Sequence, residues 1–255
     1  MRQTIFITGA GAGIGAATAR LFVRKGWTVG ASDVNASALE ALQHELGADQ
    51  VSTHVVDVRD HAAVAGALRS FTRGTGGRLD ALFANAGVLF MGPDEQITLM
   101  QKNLLVDVNV KGVLNTIDAG FPYLKATPGA HVVAMSSTSA EYGAPHHAVY
   151  SATKFFVRGY TEALNIEWRA HDIQVSAIYV AYVQTGMVLD ATFKPASIET
   201  LGVKVTPEQV AGYVWRAVHG RRSHWRVGFD ARMVNFTARM FGSAFAPVIR
   251  RLTKI

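Results

Sequence analysis

A tyrosine and a lysine four residues apart are the side chains in this sequence best placed to do chemistry. Tyr150 and Lys154 occur in "YSATK", at the start of an amphipathic run. Residues four apart lie on the same face of a helix, so the phenol and the ammonium are expected to be neighbours. A positive charge beside a phenol lowers its pKa from the usual value of about 10. The pair is therefore either an exposed helical pair or an acid/base that exchanges a proton near neutral pH.

Short apolar runs alternate with helical patterns and predict the elements that would position this pair. The runs are "TIFIT", "TVGASD", "VSTHVVD", "LDALFANAG", "HVVAMSS" and "IQVSAIYV". They are nearly continuous rather than alternating, which is typical of parallel strands covered on both faces. No linker or repeat divides residues 1–255. The sequence predicts a single α/β domain with a Rossmann-type, doubly wound parallel sheet of about seven strands and helices on both faces.

The composition excludes several classes of protein. The chain has 255 residues, of which 49% are hydrophobic and 17% charged, so it can bury a core and is not a disordered chain. It has no cysteine, which excludes disulfides, thiol nucleophiles and cysteine-ligated zinc. The start "MRQTIFITGAG" shows no signal-peptide pattern, and no apolar run reaches the roughly 20 residues of a membrane-spanning helix. We expect a cytoplasmic protein.

The positive charge is concentrated at the C-terminal end. Residues 221–255 carry eight Lys or Arg against Asp230, a net +7, whereas residues 1–220 carry 17 basic and 18 acidic residues, a net −1. A nucleic-acid groove needs basic residues spread over a folded face, so no nucleic-acid partner is predicted.

The same C-terminal segment, residues 229–255, is predicted to form two amphipathic helical pieces separated near Pro247. Its face either covers the chain's own core or a subunit partner, or lies on an anionic membrane. The apolar residues at helical spacing are Met233, Phe236, Met240 and Phe241 in the first piece, and Phe245, Val248, Ile249 and Leu252 in the second.

A glycine-rich loop follows the first predicted strand. The stretch "TGAGAGIG" contains Gly9, Gly11, Gly13 and Gly15, with Ile14 between the last two, and it opens a helical pattern. Glycines allow a tight turn and let backbone N–H groups approach a pyrophosphate at a helix N-terminus. A glycine-rich turn alone is a weak signal, but its position between a strand and a helix predicts a dinucleotide-binding loop.

The second predicted strand ends at Asp33, 18 residues after Gly15. A carboxylate there can accept hydrogen bonds from both ribose hydroxyls, and it repels a 2′-phosphate. A helix N-cap is the alternative role, although Asn35 or Ser37 is better placed for it. The sequence therefore predicts NAD, with NADP less favoured.

Two further strand ends carry candidate cofactor contacts. Asp57 could bind the adenine amine and the Val58 backbone the ring, although a polar strand end without a ligand fits equally well. The fourth strand ends in "ANAG", which places Asn85, Ala86 and Gly87 in a close turn beside the expected dinucleotide.

These motifs together resemble the classical short-chain dehydrogenase/reductase family. "TGAGAGIG", "ANAG", Asn109 in "VDVNVKG", Ser137 after "VVAMS", and "YSATK" occur in that family's order and spacing, over roughly residues 3–190. The resemblance implies that Tyr150 is the general acid/base and that Lys154 lowers its pKa and contacts the nicotinamide ribose. It implies that Ser137 binds the substrate oxygen. Asn109 would hold a water that links the lysine to solvent, or would be a buried amide bonded to backbone.

The resemblance also covers the loop after the sixth predicted strand. Thr185 in "YVQTGM" corresponds to the family's threonine that touches the nicotinamide carboxamide or a phosphate, and Val183 precedes it. This chain departs from the family pattern in reading Val180-Ala181 where members usually carry Pro-Gly. The change is expected to alter how the loop approaches the nicotinamide.

Residues 186–205 fall where the family has its variable substrate lid. Apolar side chains there favour a hydrophobic substrate, although lid residues often only pack on the body. Adjacent histidines before Tyr150 point in different directions and lack a third ligand, so no metal is predicted. The candidate substrate contacts are Ser137, Tyr142, His147, Met187, Leu189 and Phe193.

The sequence thus predicts an oxidoreductase that transfers hydride between NAD(H) and a small hydrophobic alcohol or ketone. The alternative is an NAD-binding sensor or scaffold of the same fold with little or no turnover. The resemblance also implies a homodimer or homotetramer.

Overall fold

A computed structural model describes residues 2–247 and Arg250. In this part of the chain, seven parallel strands form one sheet in the order β3-β2-β1-β4-β5-β6-β7. The predicted doubly wound parallel sheet is therefore confirmed. The strands are β1 (Thr4–Thr8), β2 (Thr28–Asp33), β3 (Val51–Val55), β4 (Ala81–Ala84), β5 (His131–Met135), β6 (Gln174–Tyr179) and β7 (His224–Arg226).

Helices connect the strands and flank the sheet. The connections after β1 to β3 are α1 (Gly13–Arg24), α2 (Ala36–Leu46) and α3 (His61–Gly74). After β4 come α4 (Leu99–Val106), a π-helical turn (Asp107–Lys111) and α5 (Gly112–Lys125), and after β5 comes α6 (Ala148–Glu167). The remaining helices are α7 (Gly186–Leu189), α8 (Ala196–Leu201), α9 (Pro207–Val218) and α10 (Gly228–Phe241), the last followed by a 3-10 turn (Gly242–Phe245).

The sheet separates two apolar cores, which explains the continuous apolar runs. In β1, Ile5 and Ile7 face the core under α1, α2 and α9, whereas Phe6 faces the core under α3, α5 and α6. Both faces of the strand are therefore buried, as expected for a parallel sheet covered on both sides.

The strand order reverses direction at β1. From β1 the chain passes outward to β2 and β3, then returns to β4 on the other side of β1. The connections leave the carboxyl ends of β1 and β4 in opposite directions, which opens a crevice between them. The glycine-rich loop, the end of β4 and the N-terminal part of α6 meet at this edge.

The C-terminal segment forms α10, but its apolar face does not cover the core. Met233, Phe236 and Met240 are exposed and do not cover the described core, which leaves a subunit partner or a membrane among the alternatives for this face. The side chains of Phe241 and Phe245, and the residues Val248, Ile249 and Leu252, lie outside what the structure describes. Within the described residues, no helix has both the length and the apolar character to cross a bilayer.

Candidate active site

A cavity of about 380 Å³ lies at the carboxyl ends of the strands. Its walls come from the β1–α1 loop, the ends of β4 to β6, the N-terminal part of α6 and the segments α7, α8 and α10. Asp33 and Lys154 are the charged side chains among the described residues that line it. The cavity therefore brings the predicted cofactor loop and the predicted catalytic pair together.

The glycine loop is built so that backbone rather than side chains faces the cavity. A Cβ at Gly15 would lie 2.0 Å from the Gly9 carbonyl oxygen, and Gly9 and Gly13 adopt positive φ angles of 67° and 51°. Residues with a side chain are disfavoured at each of these positions. Gly9, Gly13 and Ile14 line the cavity, whereas Gly11 in the loop and Gly15 in the first turn of α1 do not.

Helix α1 presents an uncapped N-terminus to this cavity. Ala12 occupies the N-cap position and gives no side-chain cap to the free N–H groups of the first turn. Ala12 and Gly13 both line the cavity. Free N–H groups at a positive helix end suit a phosphate group, so these residues fit a dinucleotide.

Asp33 is held at the edge of the glycine loop. Its carboxylate accepts hydrogen bonds from the Gly11 N–H at 2.9 Å and from the Asn35 N–H at 3.0 Å. Asn35, rather than Asp33, is the N-cap of α2 and accepts from the Ala38 N–H at 3.1 Å. Asp33 lines the cavity, so its remaining acceptor capacity is available to a ligand there.

The "ANAG" turn is tied to the end of β1. The Asn85 amide donates to the carbonyl oxygens of Thr8 and Gly9, each at 3.0 Å. Asn85, Ala86 and Gly87 all line the cavity. This bonding fixes the two strand ends on either side of the crevice.

Asp57 and Val58 do not line the cavity. The Asp57 carboxylate pairs with the Arg59 guanidinium, with oxygen–nitrogen distances of 2.6–3.0 Å. This hydrogen bonding lowers the pKa of Asp57. Val58 is buried, with its side chain where a Cβ on Gly112 would lie. The adenine contacts predicted for them stay predictions.

Tyr150 and Lys154 both lie on the first turns of α6 and line the cavity. The Lys154 side chain is buried, and its Nζ lies 5.5 Å from the centroid of the Tyr150 ring. The same Nζ donates a hydrogen bond of 2.9 Å to the Met135 carbonyl oxygen at the end of β5. The pair is therefore not the exposed helical pair that the sequence left open.

Burial dominates the protonation of both groups. It raises the pKa of Tyr150 to about 12, and a hydrogen bond with Ser137 only partly opposes this. It lowers the pKa of Lys154 to about 8. The sequence predicted the opposite direction for Tyr150, because it took account of the neighbouring charge but not of the loss of solvation.

Ser137 is positioned at the end of β5 as the N-cap of a 3-10 turn (Thr138–Ala140). Its hydroxyl accepts a hydrogen bond of 3.2 Å from the Ser139 N–H and lines the cavity. The neighbouring Ser136 donates instead to the Lys154 carbonyl oxygen at 3.3 Å. Ser137 is thus the serine whose hydroxyl acts to lower the pKa of Tyr150.

Asn109 lies fully buried in the π-helical turn. Its amide oxygen accepts from the Val88 N–H at 2.8 Å, and its amide nitrogen donates to the Val88 carbonyl oxygen at 2.9 Å. This is the backbone-bonded amide that the sequence left open as an alternative. A water held by Asn109 stays a prediction.

A buried carboxylate that sequence reasoning did not identify anchors the serine turn. Glu141 follows this turn and pairs with Arg158 of α6 at 2.6 Å and with Arg226 of β7 at 2.7 Å. Its side chain is 1% exposed, so both ion pairs are shielded from solvent. The partners lie 17 and 85 positions away along the chain, and no local pattern links them.

Thr185 packs against the glycine loop. Its methyl carbon lies 3.0 Å from where a Cβ on Gly13 would be, and Thr185 and Val183 both line the cavity. Val180, which stands in the usual Pro-Gly position, is buried, and its carbonyl oxygen accepts from the Thr138 N–H at 3.0 Å.

The candidate substrate residues divide into two groups. Tyr142, His147 and Met187 line the cavity with Ser137, whereas Leu189 is half-exposed and Phe193 packs against His146 at a ring-centroid distance of 5.1 Å. Sequence reasoning missed Tyr182, Leu201 and Val234, which also line the cavity. Their positions depend on how β6, α8 and α10 pack, so spacing along the chain carries no signal for them.

The chain is similar to known oxidoreductases over most of its length. A family model described as short chain dehydrogenase matches residues 3–194. Oxidoreductase UcpA from Escherichia coli (strain K12) is 34% identical over 86% of this chain and 81% of that protein. Glycine betaine reductase ATRR from Emericella nidulans is 35% identical over 82% of this chain, but the match spans only 17% of that longer protein.

A solved structure gives the same fold. A short chain dehydrogenase/reductase from Burkholderia phymatum in complex with NAD superposes with a TM-score of 0.84 and 24% identity, over 97% of this chain and 95% of that one. The family match and the UcpA relative, taken with the parallel sheet and the glycine loop, identify the chain. It belongs to the short-chain dehydrogenase family and is an oxidoreductase of that family.

Proposed function

We propose that this protein interconverts a hydrophobic alcohol and its carbonyl compound, with Tyr150 as general acid/base and NAD(H) as cofactor. The observation that carries the proposal is one cavity lined by the open N-terminus of α1, by Ser137 and by the Tyr150–Lys154 pair. Neither the loop nor the pair would suffice alone, because hydride and proton must be exchanged at the same substrate group.

Tyr150, Ser137 and Lys154 would each have a separate role in proton transfer at the substrate oxygen. A bound nicotinamide dinucleotide would supply the hydride donor or acceptor. Since burial raises the pKa of Tyr150 to about 12, the free protein holds the phenol protonated, which is the form that donates a proton to a carbonyl oxygen. Ser137 would donate a hydrogen bond to the same oxygen. In the oxidative direction the Lys154 ammonium, 5.5 Å from the ring centroid, favours the phenolate.

The preference for NAD over NADP rests on Asp33. Its carboxylate is fixed beside the glycine loop by the Gly11 and Asn35 N–H groups. Because the described lining residues include no Arg or Lys beside it, a 2′-phosphate would meet an uncompensated negative charge.

A hydrophobic substrate is supported by the walls of the cavity beyond the catalytic groups. Met187 and Val188 of α7, Leu201 of α8 and Val234 of α10 present apolar side chains there. The Tyr182 hydroxyl is already bonded to Ser197 at 2.8 Å, which leaves little polar capacity on that side.

Self-association is supported by apolar side chains that remain exposed on α4 and α6. Leu99, Met100 and Val106 lie on α4, and Phe155 and Ile166 lie on α6, each between 39% and 78% exposed. An apolar surface of this kind is typical of a subunit interface, so a homodimer or homotetramer is proposed.

A direct spectrophotometric assay of the reduced cofactor tests the proposal. Purified protein is screened against alcohols and ketones of increasing apolar size, with NAD(H) and with NADP(H), by absorbance of the reduced cofactor. We expect turnover with NAD(H) that rises with apolar size. The variant Tyr150→Phe should bind NAD as the wild type does but lose turnover by roughly 10²–10⁴-fold.

The same assay distinguishes the alternatives. Tight NAD binding without turnover on any substrate would favour the sensor or scaffold function. Full activity in Tyr150→Phe would remove the phenol from the mechanism. Faster turnover with NADP would contradict the role of Asp33.

A further inference from the structure

A buried histidine in the wall of the active-site cavity has one unpaired ring nitrogen. His147 is 4% exposed, lines the cavity and is the N-cap residue of α6. Its Nε2 is buried and has no hydrogen-bond partner among the described residues. Buried polar groups are nearly always hydrogen-bonded, because an unpaired one costs free energy. The described protein therefore leaves this nitrogen without the partner that a bound molecule could supply.

The other ring nitrogen of His147 determines the chemical form of the ring. Nδ1 lies 3.0 Å from the Pro145 carbonyl oxygen, which can only accept a hydrogen bond, so Nδ1 carries the proton. Burial lowers the pKa of His147, so the ring is uncharged at neutral pH. An uncharged imidazole protonated at Nδ1 has a lone pair at Nε2. The unpaired nitrogen is therefore an acceptor, and its missing partner is a hydrogen-bond donor.

The His147 ring lies beside the groups proposed to act on the substrate. Its centroid is 6.2 Å from that of the Tyr150 ring and 6.1 Å from that of the Tyr182 ring, and both tyrosines line the same cavity. The Tyr182 hydroxyl is paired with Ser197 at 2.8 Å, so it does not supply the missing donor. A substrate held at Tyr150 would thus have its neighbouring atoms close to this ring.

We propose that Nε2 of His147 accepts a hydrogen bond from a second hydroxyl group of the substrate, close to the reacting carbon. The substrate class is then a hydroxy ketone, or the corresponding diol, with an apolar remainder that fits the apolar walls of the cavity. This inference rests on the proposed function and narrows its substrate. His147 would be a specificity-determining residue, because an analogue without the hydroxyl leaves the buried acceptor unpaired.

Steady-state kinetics with NADH and three kinds of ketone on one carbon chain test the proposal. The first is the plain ketone, the second carries a hydroxyl one or two carbons from the carbonyl, and the third is the methyl ether of that hydroxyl. The ether keeps the electron-withdrawing oxygen but cannot donate a hydrogen bond. We expect kcat/KM for the hydroxy ketone to exceed both others by roughly tenfold or more. Equal values for the hydroxy ketone and its ether would overturn the proposal without any variant.

Variants at two adjacent histidines assign the preference to one ring. In His147→Leu the hydroxyl-to-ether ratio of kcat/KM should fall to about one, whereas His147→Gln, which keeps an acceptor oxygen, should retain part of it. The control is His146→Asn: Nδ1 of His146 is also buried and unpaired, but His146 does not line this cavity. Asparagine tolerates the φ of 63° at this position, and the control should keep the wild-type ratio. An unchanged ratio in His147→Leu would contradict the assignment.

A binding measurement separates this inference from the proposed reaction. Absence of turnover with every ketone would contradict the reaction and not the role of His147. Calorimetry of the diol and its monomethyl ether, each added to the protein with NAD, then decides. Tighter binding of the diol in the wild type, lost in His147→Leu and kept in His146→Asn, would support the hydrogen bond. Equal binding of the two compounds by the wild type would overturn it.

Discussion

At the scale of single residues, the burial of Lys154 should make the free energy of unfolding depend on pH. Its pKa falls from the ordinary 10.5 to about 8, so between these values the folded protein has lost a proton that the unfolded chain still binds. The free energy of unfolding of the wild type should therefore rise with pH in this window relative to Lys154→Met, by up to about 1.4 kcal/mol per pH unit. Denaturant unfolding of both proteins from pH 7 to 10.5 measures this difference. Parallel curves above pH 8 would mean that the ammonium is solvated.

At the scale of elements, Glu141 joins the serine turn to α6 and β7. Glu141→Gln should lower the free energy of unfolding by about 3 kcal/mol, because two arginines lose a buried carboxylate. Glu162→Gln is the control: Glu162 pairs with Arg158 at 3.0 Å but is 42% exposed, so a loss below about 1 kcal/mol is expected. Urea unfolding measures stability, and a lower kcat in Glu141→Gln under folding conditions would show that the turn positions Ser137. Equal losses in the two variants would contradict the anchoring role.

At the scale of the whole molecule, we propose that the exposed apolar residues of α4 and α6 form the surface through which the protein self-associates. Phe155→Glu places a charge on α6 where the wild type exposes an apolar ring, and burying that charge in an interface is unfavourable. Light scattering after size exclusion should give a dimer or tetramer for the wild type and a smaller species for the variant. A wild-type monomer at micromolar concentration would contradict the proposal of a homo-oligomer.

The sequence by itself determined the parallel sheet, the glycine loop and the pairing of Tyr150 with Lys154, because apolar runs, glycine spacing and helical periodicity act over a few residues. Only the tertiary structure decided the protonation of that pair, the Glu141 ion pairs and the outward apolar face of α10. Solvation and ion pairing depend on residues that are distant along the chain. Glu141 pairs with Arg226, 85 positions away, and the Lys154 ammonium is buried against the end of β5, where it donates to the Met135 carbonyl oxygen. Amphipathic spacing shows that α10 has an apolar side, but only the packing of Ala231 and Val234 against the body turns that side outward.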